Sequence, residues 1–105
     1  MVSDKFVELK GVRYPRITIH WMDIVGDAST VTGEEAKTLM CPHCVTEGYL
    51  YDVFEHDGER YIRTFATYEL GDDPSFGDRN CFPLSVLSKN SKRDVEFALI
   101  FMTKQ

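Results

Sequence analysis

The residues with the most chemical potential are Cys41-Pro42-His43-Cys44. Two thiols separated by two residues suit dithiol redox exchange when the first sits at a helix N-terminus, which lowers its pKa. Here the tetrapeptide follows a helical stretch and opens a strand. The β-α-β frame that such a site needs is missing from the sequence pattern. The same pair has the separation of half a zinc knuckle, with Cys81, His43, His20 or His56 available to complete four ligands. A second Cys-x-x-Cys pair is absent. The competing reading makes Cys44 a small buried strand residue and Cys41 a loop residue. No resident cofactor is expected, with zinc on Cys41, Cys44, Cys81 and His43 as the alternative.

Asp23 and Asp27 come next. With Ser29 and Thr30 they would form a polar pocket, or hold a divalent cation through added waters. The competing reading is turn chemistry, in which Asp side chains bond local amides. Trp21 is expected in the core; exposed at a rim, it would stack on a planar ligand beside Tyr68. Trp21, Asp23, Asp27, Ser29 and Tyr68 are therefore the ligand-binding candidates. Asp72, Asp73 and Asp78 lack the spacing of a calcium loop. The three histidines are scattered and have no assignable nucleophile. No glycine-rich phosphate loop is present, no catalytic residue is assigned, and a non-enzymatic protein is expected.

These residues must be positioned by a single domain over 1–105, with 1–15 as an N-terminal arm or extra strand. The thirteen aromatic rings (seven Phe, five Tyr and Trp21) favour strands. A net charge of −5, with no basic run longer than Lys92-Arg93, disfavours nucleic acid. No apolar stretch approaches the roughly 20 residues that span a bilayer, so no membrane association is expected. The first residues lack a signal-peptide layout, and three cysteines fit a reducing cytosol.

A short strand is expected at Lys5–Leu9, with a turn at Gly11 and a break at Pro15. From Arg16, alternation of Ile17, Ile19 and Trp21 with Thr18, His20 and Met22 predicts a half-buried strand. Thr32-Gly33-Glu34-Glu35 is a capping box, predicting a two-turn helix that ends before Pro42. Asp57-Gly58 predicts a tight hairpin between Cys44–Glu55 and Arg60–Leu70. That register pairs Glu55 with Arg60 and Asp52 with Arg63. It puts Leu50, Phe54, Tyr61 and Phe65 on one face, an apolar exterior read as an interface that makes a homo-oligomer. A loop over 71–78, an edge strand near Asn80–Leu87 with Pro83, a turn over 90–94 and a final strand over Val95–Met102 follow. The expected fold is mainly β: a partly open, five-stranded antiparallel small barrel closed by the short helix.

Trp21-Met22-Asp23-Ile24-Val25-Gly26-Asp27-Ala28-Ser29 is followed by the short helix and by Cys44-Val45-Thr46-Glu47-Gly48-Tyr49-Leu50. Then come Ala66-Thr67-Tyr68, an acidic Gly-Asp loop, and Pro83. This order, over about residues 17–90, resembles a set of small uncharacterised tailed-bacteriophage proteins. Their pattern is Trp-x-Asp-Ile-x-x-Asp, a helix, Cys-x-Thr-x-Gly-aromatic, and a late Pro. Thr30 stands where an aromatic is usual, and Cys41 is an addition. The resemblance implies a small Sm-like or SH3-like barrel and no particular activity. The expected function is a phage-encoded protein in the host cytoplasm. It would bind a host protein or a small signalling ligand such as a nucleotide, in host takeover or counter-defence. The alternatives are a zinc-binding protein and a minor virion or assembly component.

Overall fold

The computed structural model describes residues 5–105; the arm reading of residues 1–4 lies outside them. Strands β1 (Phe6–Leu9), β2 (Val12–Met22), β3 (His43–His56), β4 (Glu59–Phe65) and β7 (Asn80–Pro83) form one antiparallel sheet, ordered β1-β2-β3-β4-β7. The sheet is open, with β1 and β7 as its edges. β5 (Thr67–Glu69) and β6 (Ser75–Gly77) make a separate two-stranded ribbon. This ribbon occupies part of the stretch expected to be loop. Pro83 does lie on an edge strand, where a missing N–H does not interrupt the ladder.

Both tight turns are built as their residue types require. Lys10 and Gly11 have φ of 50° and 81°, and Asp57 and Gly58 have 52° and 79°. Two successive positive φ values match the right-handed strand twist, and Asp-Gly is suited to them. Pro15 does not break the chain: it lies inside β2, opposite Phe6, and is buried.

The β3–β4 ladder follows the expected register from His56 to Asp52, including Glu55 opposite Arg60 and Asp52 opposite Arg63. It then slips by one residue. Leu50 pairs with Thr64 and Tyr49 with Phe65, leaving Tyr51 as a bulge. The slip reverses the facing of everything before it. Leu50 joins Ile62 and Ile19 in the main core, each 0% exposed. Burying a leucine fully contributes roughly 1.5–3 kcal/mol, which offsets the ladder bond lost at the bulge.

The expected final strand is instead the long helix α2 (Lys89–Thr103). Ser88 caps it, its hydroxyl accepting from the Ser91 amide at 3.2 Å. Ser91, Val95, Ala98 and Met102 recur at helical spacing; the first three are buried and Met102 packs on both apolar clusters. Phe97 and Ile100 are half-exposed. Alternating apolar residues suggested a strand, but a stretch that is apolar at almost every position satisfies both periods. The Ser88 cap favours the helix, and burial of Val95 and Ala98 against the sheet selects it.

The main core lies between α2 and the sheet: Ile17, Ile19, Leu50, Ile62, Phe82, Leu87, Val95 and Ala98. A second cluster gathers Leu9, Tyr14 and Phe65 with Tyr49, Tyr68 and Phe76. The short helix α1 (Gly33–Ala36) has one turn rather than two, with no buried residue. Half of its capping box is present: the Thr32 hydroxyl accepts from the Glu35 amide at 3.2 Å, but the Glu35 carboxylate accepts from the Thr32 hydroxyl, at 3.0 Å, in place of the Thr32 amide. It covers none of the core; α2 does.

Candidate functional site

The bulge builds the site. Tyr51 has no cross-strand partner, so its ring is free to turn towards the second cluster. It lies parallel to Tyr14 at 5.6 Å (6° between planes) and edge-on to Phe76 at 5.1 Å. Phe76, from β6, stands edge-on to Phe65 at 4.8 Å. On the strand side, Arg63 donates two bonds to Asp52, at 2.8 and 2.9 Å, and its guanidinium sits 4.0 Å above the Phe54 ring. Those bonds hold Arg63 protonated above its ordinary range. Thr67 donates to Asp78, a residue with φ of 48°. The chain then turns through Arg79 into β7, where Asn80 pairs with Thr64 and Cys81 with Arg63.

Between these parts lies a cavity of about 680 Å³, a size that suits small ligands. Tyr51, Phe65 and Phe76 form its apolar wall; Asp52, Arg63, Arg79, Asn80 and Cys81 bring the polar groups. Arg79 is exposed and has no carboxylate partner among the described residues. Two guanidiniums face one carboxylate, so the lining carries net positive charge on a protein whose net charge is −5. Aromatic faces beside an uncompensated arginine hold a planar group and an anionic group together.

The sequence-derived candidates lie elsewhere, and none of the five lines this cavity. Trp21 packs on the main core, 5.0 Å from Phe82, and its indole N–H donates to the Thr46 hydroxyl at 3.0 Å. Tyr68 belongs to the second cluster, beside Tyr49 and Phe65. Trp21 and Tyr68 therefore do not share a rim. Asp23 is half-buried and accepts from the Ile24 amide at 2.9 Å. Asp27 accepts from the amide and hydroxyl of Ser29, at 2.9 and 2.7 Å. Those bonds, the backbone one foremost, hold the Asp27 carboxyl below its usual range. This is turn chemistry.

The expected interface also needs correction. Leu50 and Phe65 are buried in different clusters: the bulge turns Leu50 to the Ile62 face, while Phe65, on β4, keeps its face and is covered by Tyr14 and Phe76. Phe54 and Tyr61 are half-buried and stack at 5.2 Å, with Arg63 over Phe54. The most exposed apolar side chains are Ile24 at 87%, Leu70 at 79% and Met40 at 73%; Ile24 and Met40, with Leu39, lie in the segment after β2.

All three cysteines are free thiols. Cys41 is exposed, Cys44 is half-buried opposite Trp21, and Cys81 lies on β7 opposite Arg63. Among the described residues, no three His, Cys, Asp or Glu side chains converge to hold a metal. No described helix is long and apolar enough to cross a membrane. No protein-family model, curated protein or solved structure matches this chain. Sequence reading had paired Arg63 with Asp52 but had not singled out Tyr51, Phe76, Arg79 or Asn80. Their meeting depends on the bulge and on the β5–β6 ribbon, and neither has a residue signature of its own here.

Proposed function

We propose that this chain is a small, non-enzymatic binding protein whose cavity takes a planar anionic ligand of the nucleotide class. The observation that carries the reading is Arg79, without a carboxylate partner among the described residues, beside the aromatic wall of Tyr51 and Phe76. A phosphate would bond Arg79 and Asn80, and a base would lie against Tyr51. Arg63, already held by Asp52, would contribute field more than new bonds. The resemblance to small tailed-phage proteins supports the wider setting: an Sm-like or SH3-like scaffold, in the host cytoplasm, sequestering a signalling ligand during host takeover or counter-defence.

The test is titration of the whole chain with mononucleotides and cyclic nucleotides, read by amide chemical shifts. The expected result is saturable binding centred on Tyr51, Phe76 and Arg79. Arg79→Ala should weaken it at least about tenfold, the loss of one charge-assisted bond. No binding at millimolar ligand, or binding indifferent to Arg79→Ala, refutes this reading.

A second reading, binding of a host protein or a second copy, is favoured by the exposure of Ile24, Leu39 and Met40. It expects native mass spectrometry to give a dimer or larger species that Met40→Ser disperses. A monomer at tens of micromolar removes self-association from that reading.

A further inference from the structure

A second cavity, of about 600 Å³, lies at the opposite end of β2 from the Lys10-Gly11 turn, against the start of α2. His20 and His43 open into it from neighbouring strands, and His20 Nδ1 stands 3.0 Å from His43 Nε2. We propose that these two nitrogens form a binding site for a divalent transition-metal ion such as Zn²⁺ or Co²⁺.

The geometry carries the inference. Zn–imidazole bonds are about 2.0–2.1 Å long, so two nitrogens on one ion, at angles between square and tetrahedral, stand about 2.8–3.4 Å apart. The observed separation falls in that range. The rings meet edge to face at 71°, with centroids 5.3 Å apart. In the metal-free form one ring N–H bridges the pair. On binding, that hydrogen moves to the same ring's other nitrogen, and both facing nitrogens become lone-pair donors with no net proton lost.

The frame around the pair is fixed. The His20 amide donates to the buried Ser91 hydroxyl at 2.7 Å, and the His20 carbonyl accepts from the Ser88 amide at 2.8 Å. Both bonds tie His20 to the start of α2. His43 begins β3 opposite Met22, and the Asp23 amide bonds the Pro42 carbonyl at 3.0 Å. Both rings are exposed, so an ion reaches them without opening the fold. Among the described residues two protein ligands meet here, so waters complete the shell in the cavity, with the Asp94 carboxylate and the Arg93 side chain on its wall. Such a site exchanges its metal readily and favours imidazole-seeking ions over Mg²⁺. It uses neither Cys41 nor Cys44.

The experiment titrates the reduced whole chain with Co²⁺ alone, then displaces it with Zn²⁺, reading visible absorption and histidine ring NMR signals. One Co²⁺ per chain is expected, with both His20 and His43 ring signals perturbed and no thiolate charge-transfer band. His20→Gln and His43→Gln should each weaken binding at least about 100-fold, the upper end of what losing even an outer-shell partner costs. Cys41→Ser with Cys44→Ser should leave binding unchanged. Both histidine side chains are exposed, so circular dichroism should report folded variants. Absence of binding overturns the proposal and leaves a hydrogen-bonded imidazole pair. A thiolate band, or loss of binding in the cysteine variant, overturns it in favour of a cysteine site. Arg79→Ala leaves this site intact, so its outcome is independent of the nucleotide titration.

Discussion

Gly48 lies where β2, β3 and the end of β4 come together, opposite Ile17 in the β2–β3 ladder. A Cβ added there would stand 2.6 Å from the Phe65 carbonyl oxygen and 3.3 Å from its carbon. Carbon and oxygen reach ordinary contact at about 3.3 Å, so Gly48→Ala forces a separation of roughly 0.7 Å. The atom in the way is backbone, in a strand whose Phe65 ring is 1% exposed and held by Tyr14, Tyr49 and Phe76. It cannot swing aside as a side-chain end would. Overpacking of this kind costs about 1–3 kcal/mol. Taking about 2 kcal/mol, Tm for a domain of this size should fall by roughly 8–16 °C. Urea unfolding followed by circular dichroism, with the slope unchanged and the midpoint lowered, is the measurement. Gly26→Ala is the control: nothing lies within 4 Å of its Cβ, and its φ is not positive. It should be neutral, or stabilising by about 0.4–1 kcal/mol through the unfolded chain. If Gly48→Ala unfolds within about 0.5 kcal/mol of the parent, as an unremarkable surface change would, the close approach of β3 to Phe65 is not as described. The bulge register that depends on it would fall as well.

Two further outcomes test other parts of the structure. Val95→Ala removes two buried methyl groups' worth of side chain and should cost about 2 kcal/mol, whereas Phe97→Ala, at 50% exposure, should stay within about 0.5 kcal/mol; a strand would put both residues on one face, so equal costs would refute the helix. Asp27 should titrate below the ordinary carboxylate range by carboxyl NMR, and Ser29→Ala should return it only part of the way, because the larger contribution is the Ser29 amide. Because the folded pKa is lowered, the stability this group contributes is present above the unfolded value and is lost as pH falls through the folded one; an Asp27 that titrates normally, or that Ser29→Ala restores fully, removes the turn.

Local chemistry was legible in the residues. Asp57-Gly58 demanded two positive φ values, and the tip of the β3–β4 hairpin has them. From that tip the pairing of Asp52 with Arg63 followed by counting. Thr32 announced its cap on the Glu35 amide, and the turn reading of Asp27 needed only Ser29 two residues on. Each of these depends on groups within a few residues of one another, or on a register set by one turn, so sequence alone determines them.

What needed the tertiary structure was every choice between two locally equivalent arrangements. Residues 95–102 satisfy a strand and a helix equally by apolar pattern; the sheet face formed by Ile17, Ile19 and Ile62 selects the helix, because Val95 and Ala98 fill it. The bulge at Tyr51 has no local signature, because its benefit is realised only when Leu50 turns into a core assembled from β2, β4, β7 and α2. One unpaired residue then reverses the facing of the strand before it. That moves Leu50 from a supposed exterior into the main core and leaves Tyr51 beside Arg79, while Phe65 on β4 keeps its face and is buried there by Tyr14 and Phe76. His20 and His43 are 23 residues apart and meet only because β2 and β3 pair. The residue types came from the sequence; which of them share a cavity was decided by burial, a non-local free energy that no short window of residues contains.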